Sequence, residues 1–251
     1  MKKRSLCITL IGFVCVLMAA SLSLAADSEG FVSRWSKEIT KKNDLGANMT
    51  VRATYYSAEY IDAVLQREAK RNMWTAAELE DYKYNFLKNL RLEEFIPVHI
   101  EIENNGPTAH MAPFNEMISL WIGKKNFPPV EYEQRFNFAF QGKRDGLVFF
   151  PRFDAKTGKP LLQGVKNVRL VLRSSALPIL DGKGDLSFIW DITGDDTSKL
   201  YAGQAANRME LERLIKRVEK LNKEKSEIES LLAEKNKELN EINVRIKELE
   251  K

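Results

Sequence analysis

From Leu211 onward the chain reads LERLIKRVEKLNKEKSEIESLLAEKNKELNEINVRIKELEK, without glycine or proline. With Leu211 at heptad position a, the a series is Leu211, Val218, Lys225, Leu232, Leu239 and Ile246. The d series is Leu214, Leu221, Ile228, Lys235, Ile242 and Leu249. All seam positions except Lys225 and Lys235 are aliphatic, and the register never breaks. A strand would need a period of 2, and a helix packed on a globular core would show a broader 3.6-residue stripe. A strict 3.5-residue repeat predicts a coiled coil over 207–251, roughly 60 Å long. Its partner is a second copy of the chain or another coiled-coil protein; the alternative is a lone helix folded back on the rest of the chain.

Orientation follows from charge. A full-length antiparallel pair sets Lys225 against Lys235, Arg217 beside Arg245 and Glu224 beside Glu238, all repulsive. A parallel pair sets Arg245 beside Glu250 and lets Lys225 reach Glu224 of the partner, against one repulsive pair, Glu224 with Glu229. Parallel is favoured, with Lys225 and Lys235 setting register and specificity. Strand number stays open. Leu at a with Ile at d leans above two strands, whereas a buried Lys leans toward two.

The opposite end reads MKKRSLCITLIGFVCVLMAASLSLAADSEG. Lys2, Lys3 and Arg4 precede an apolar run and then small residues, with Ser23 and Ala25 placed for cleavage before Ala26. This predicts a signal peptide over 1–25, hence export to the periplasm or cell envelope. The rival is an uncleaved inner-membrane anchor, since the apolar run approaches a bilayer-spanning length. Both cysteines, Cys7 and Cys15, fall in this segment. The mature chain therefore has no disulfide, no thiol nucleophile and no zinc–cysteine site. Without Lys2, Lys3 and Arg4 the 39 basic residues become 36 against 35 acidic ones. A near-neutral protein lacks the footprint of a nucleic-acid binder.

Between the two ends, short apolar-alternating runs are separated by Gly, Pro, Asn and Asp. This predicts a mainly β fold, an immunoglobulin-like antiparallel sandwich over 48–192. Strands are expected at Asn48–Tyr56, Phe95–Asn104, Glu116–Ile122, Arg135–Phe140, Leu147–Phe153, Val168–Arg173 and Leu186–Ile192. Turns are expected at NNGP (Asn104), QGKRDG (Gln141), DAKTGKP (Asp154) and DGKGD (Asp181). Phe31, Trp35 and Ile39, spaced by four, predict a helical lead-in over 26–47. A two-helix insertion is expected at about 58–91. Its second helix opens on a capping box, Thr75 with Glu78, flanked by Trp74 and Leu79 as a hydrophobic staple. Residues 193–206 read as a linker.

The stretch IPVHIEIENNGPTAH carries both histidines, His99 and His110, with Glu101 and Glu103. As a strand it turns Ile96, Val98, Ile100 and Ile102 to one face. His99, Glu101 and Glu103 fall on the other, about 6.5 Å apart along the strand. Pro97, with no amide hydrogen, suggests an edge or a strand start. A metal site would need three or four converging donors, and His110 lies beyond the expected turn. A solvated strand face is the simpler reading, with a polar site as its rival. DAKTGKP lacks the glycine-lysine spacing of a phosphate-binding loop. The motif set of serine hydrolases and zinc peptidases is absent.

These observations predict an exported, non-enzymatic envelope protein: a binding or scaffold sandwich oligomerised or docked through its coil, without cofactor or metal. An envelope protein or a glycan is a further candidate partner. Two alternatives remain at this level. One is an envelope hydrolase using carboxylate or histidine chemistry on glycan or peptide. The other is a membrane-anchored structural protein, in contact with the membrane only through an uncleaved signal.

Overall fold

A computed structural model describes residues 33–177, 179 and 184–249. The predicted signal segment and the DGKGD turn lie mostly or wholly outside these residues. The chain divides into two compact units that meet between Tyr201 and Ala202.

The first unit is mainly β. Its elements in chain order are β1 (Ser36–Lys42), β2 (Asn48–Tyr55), α1 (Ala58–Asn72), α2 (Ala76–Leu90), β3 (Phe95–Ala109), α3 (Phe114–Met117), β4 (Ile118–Ile122), β5 (Lys125–Phe127), β6 (Glu131–Tyr132), β7 (Phe140–Pro151), β8 (Asn167–Leu172) and β9 (Leu186–Asp191). They form two antiparallel sheets, ordered β1-β2-β3-β7-β6 and β5-β4-β8-β9. Alternation decides which way each strand faces. β9 (LSFIWD) buries Leu186, Phe188 and Trp190 and exposes the residues between them. β4 and β8 follow the same rule. A single buried apolar cluster takes residues from both sheets, including Val98, Ile100, Phe150, Leu120, Leu170 and Phe188. An aromatic series runs through it: Trp35 stacks on Tyr55 at 5.6 Å, Tyr55 meets Trp190 at 5.9 Å, and Trp190 meets Phe188 at 6.5 Å. The Trp190 indole N–H donates to the Trp35 carbonyl at 2.8 Å, so the polar edge of this buried ring is satisfied.

The insertion between β2 and β3 matches its sequence signals. Ser57 caps α1 by accepting from the Tyr60 amide. Thr75 caps α2, and Glu78 returns a bond to the Thr75 amide, completing the capping box. The Trp74 ring packs on Tyr82 at 4.6 Å.

Four expectations are corrected. The lead-in is not helical over 36–42: SKEITKK forms β1, an edge strand pairing with β2 through Thr40–Thr50 and Ser36–Thr54 hydroxyl contacts. NNGP does not end β3. Asn104 is fully buried, accepts from the Gly106 amide and donates to the Pro107 and Phe140 carbonyls, and the strand shifts register there and continues to Ala109. QGKRDG is not a turn but the first half of β7. The segment Arg135–Phe140 is not a strand; Gln134–Asn137 forms a 3-10 turn that drives Phe136 into the core against Phe114, ring to ring at 4.5 Å. Gly146 of β7 makes room for that turn. A Cβ there would sit 2.5 Å from Glu133 Cγ and 3.0 Å from Phe136. DAKTGKP is a turn, with Asp154 accepting from the Lys156 and Thr157 amides.

The second unit is one helix, α4 (Gln204–Leu249), roughly 70 Å long at about 1.5 Å per residue. The predicted linker 193–206 is divided between the units: Thr197–Leu200 is a 3-10 turn of the first, its Leu200 buried.

Candidate interaction surfaces

α4 carries the most distinctive surface. All ten aliphatic seam residues are exposed within the single chain, from 45 % for Leu221 to 73 % for Leu249. The flanks are polar and linked along the helix, as Lys220–Glu224 and Arg245–Glu248. The two seam lysines bend to acids on their own helix: Lys225 to Glu229 at 3.6 Å and Lys235 to Glu238 at 2.7 Å. Such exposed pairs contribute little to stability. The aliphatic stripe is another matter, because burying one large aliphatic side chain contributes about 1.5–3 kcal/mol.

The polar face of β3 is a cross-strand charge ladder. As expected, His99, Glu101 and Glu103 share the face opposite Ile100 and Ile102. Glu101 sits between Arg52 of β2 at 2.8 Å and Lys143 of β7 at 2.9 Å, and Arg52 also reaches Glu38 of β1. Charges alternate in sign across four strands. His99 Nε2 lies 3.4 Å from Asp145, and Glu103 accepts from Asn105. His110 lies past the end of β3 and beyond its register shift, roughly 36 Å of extended chain from His99 at about 3.3 Å per residue. The sequence-predicted polar group is therefore three residues and one outlier. Each acid of the three is already engaged by a cation or an amide. Among the described residues no group of three or more His, Cys, Asp or Glu is arranged to hold a metal ion. Pro97 is not on an edge strand, since β3 is central, but it lies one residue beyond the end of β2, so its missing N–H leaves no gap in that ladder.

A feature the sequence reading passed over lies in the predicted linker. The loop Thr193–Asp196 separates two clefts of about 390 and 430 Å³. Asp195 lines both. Its carboxylate accepts from the Ala58 amide at 2.8 Å, at the start of α1, and from the Tyr55 hydroxyl. Burial raises the Asp195 pKa, and these two bonds and Arg152 only partly oppose that. Burial likewise raises that of Tyr55. TGDDTSK carries no signal that separates a half-buried Asp195 from its exposed neighbour Asp196.

The linkage is specific. A carboxyl whose folded pKa is raised binds its proton more tightly in the folded state. It destabilises the fold above that pKa and is relieved as pH falls through it. Asp195→Asn keeps an acceptor oxygen and removes the charge. In urea titrations across pH 4–7, the stability difference, variant minus wild type, is expected to shrink as pH falls. A difference that grows toward acid would contradict the raised pKa.

Among the described residues no helix is long and apolar enough to cross a membrane. No protein family, curated protein or solved structure matches the chain.

Proposed function

We propose that this is an exported, non-enzymatic cell-envelope protein in which a parallel coiled coil clusters copies of an immunoglobulin-like binding sandwich. The carrying observation is the unbroken heptad stripe of α4, ten aliphatic residues left in solvent by the single chain. The stripe keeps its 3.5-residue period too strictly for a helix whose apolar face serves a globular core. The immunoglobulin reading is supported by strand order. Sheet order β2-β3-β7-β6 corresponds to strands A-B-E-D, and β5-β4-β8-β9 to C′-C-F-G, with β1 added at the A edge and the helical pair inserted between A and B. Export rests on the N-terminal residue pattern, and it predicts a mature protein beginning at Ala26 on N-terminal sequencing; a chain retaining Met1 argues for the anchor instead. Clustering raises the effective concentration of weak sites, which multiplies avidity without a new contact.

The parallel arrangement has a direct test. In a background with Cys7 and Cys15 changed to Ser, Leu249→Cys in a parallel coil places like residues side by side and crosslinks under mild oxidation. In a full-length antiparallel coil Leu249 faces Leu211, so only the pair Leu211→Cys with Leu249→Cys crosslinks. A Leu249→Cys chain that stays uncrosslinked would contradict the parallel reading.

A further inference from the structure

We infer that α4 assembles from three chains, with Ile215 and Leu231 joining the seam. This deepens the self-association proposed above and depends on it. Three observations point to three strands.

The first is branching. Leu at a with Ile at d is confined to the stretch from Ile228 to Ile242, with Leu232 and Leu239 at a and Ile228 and Ile242 at d; Val218 and Ile246 at a and Leu214, Leu221 and Leu249 at d follow the opposite order. Two-stranded parallel coils favour the reverse, β-branched residues at a and Leu at d, because the two layers pack side chains at different angles. Leu at a with Ile at d shifts the preference above two.

The second is stripe width. Ile215 is at position e and Leu231 at position g, flanking the seam on opposite sides, and they are 48 % and 57 % exposed. With one neighbour, a helix covers little beyond a and d. With two neighbours it covers a wider arc, which draws e and g inward. Val244, at f, is the one large aliphatic of the heptads left outside that arc.

The third is the rim. Two-stranded parallel coils gain specificity from opposite charges at g and the following e. Here the e residues are Ile215, Asn222, Glu229, Asn236, Asn243 and Glu250. The g residues Arg217 and Glu238 therefore meet Asn, Leu231 also meets Asn, Glu224 meets Glu229, and Arg245 with Glu250 is the one opposite-charge pair. A flank of amide and aliphatic side chains suits a partly covered surface better than an ionic rim. The seam lysines by themselves lean toward two strands, and three strands accommodate them by pairing each with an acid. Each Lys225 reaches Glu224 of the next chain, closing a ring of three ion pairs. Lys235 keeps Glu238 of its own helix at 2.7 Å, its ammonium carried outward on a long stem.

Sedimentation equilibrium of the full chain, referred to the mass of one chain, separates the outcomes. Three chain masses are expected. Two or four would overturn the three-stranded arrangement and leave self-association standing. One chain mass at tens of micromolar would overturn self-association itself. A second variant reverses the branching: Leu232→Ile and Leu239→Ile with Ile228→Leu and Ile242→Leu. It conserves volume and helix, and its mass is expected to fall from three chains to two. A variant that remains at three would overturn the assignment of strand number to the seam. Ile215→Gln with Leu231→Gln is expected to weaken assembly at least tenfold, and unchanged assembly would place both residues outside the interface.

Discussion

Changing Leu221 and Ile228 to Glu is expected to reduce the protein to single chains while the two-sheet unit stays folded. Both residues are exposed in the lone chain, at 45 % and 65 %, so neither supports the fold of that chain. Both are aliphatic d positions at the middle of the heptad run. In an assembled coil each loses about 2 kcal/mol of apolar burial on substitution, and every chain brings two new carboxylates into the seam. At about 1.4 kcal/mol per tenfold, lost burial alone weakens association on the order of 10³-fold per chain. Light scattering reads the mass. Tryptophan fluorescence reads the first unit alone, because all four tryptophans, Trp35, Trp74, Trp121 and Trp190, lie within it. An oligomer that survives these changes would mean that the stripe is not the interface.

Trp190→Ala is expected to be the most damaging single change to the two-sheet unit. Trp190 is fully buried at the end of β9, stacks with Phe188, meets the tilted ring of Tyr55, and holds the Trp35 carbonyl with its indole N–H. Removing a buried Trp costs about 3–5 kcal/mol, and the orphaned carbonyl adds to that. Against a typical stability of about 5–15 kcal/mol, the urea midpoint should fall sharply, and the least stable preparations should lose the cooperative transition. A shift under about 1 kcal/mol would contradict a core organised around this aromatic series.

The elements legible in the sequence are those in which one local rule governs many residues. The heptads of α4, the capping box of α2 and the alternation of β4, β8 and β9 each repeat a single physical demand. Elements that depend on distant residues are not legible in this way. β1 shows no alternation because an edge strand buries little, and Ile39 is only half-buried; its spacing from Trp35 imitates a helix. QGKRDG has turn composition, yet Lys143 and Asp145 are the β7 partners of Glu101 and His99 on a solvated face. Asn104 looks like turn chemistry and instead uses its amide to carry the backbone through a register shift. The same limit applies to the site. Period 2 correctly groups His99, Glu101 and Glu103, but their neutralising partners come from β2 and β7. Asp195 is set apart from Asp196 only by α1 and Tyr55 closing around it.

In the proposed assembly α4 is covered by copies of itself, and hydrogen exchange of the full chain, followed across 211–249 at a series of protein concentrations, reads that cover. A seam buried between copies predicts slow exchange at tens of micromolar that becomes fast on dilution, in step with the fall in mass. Fast exchange at every concentration, with the mass of one chain throughout, would contradict it.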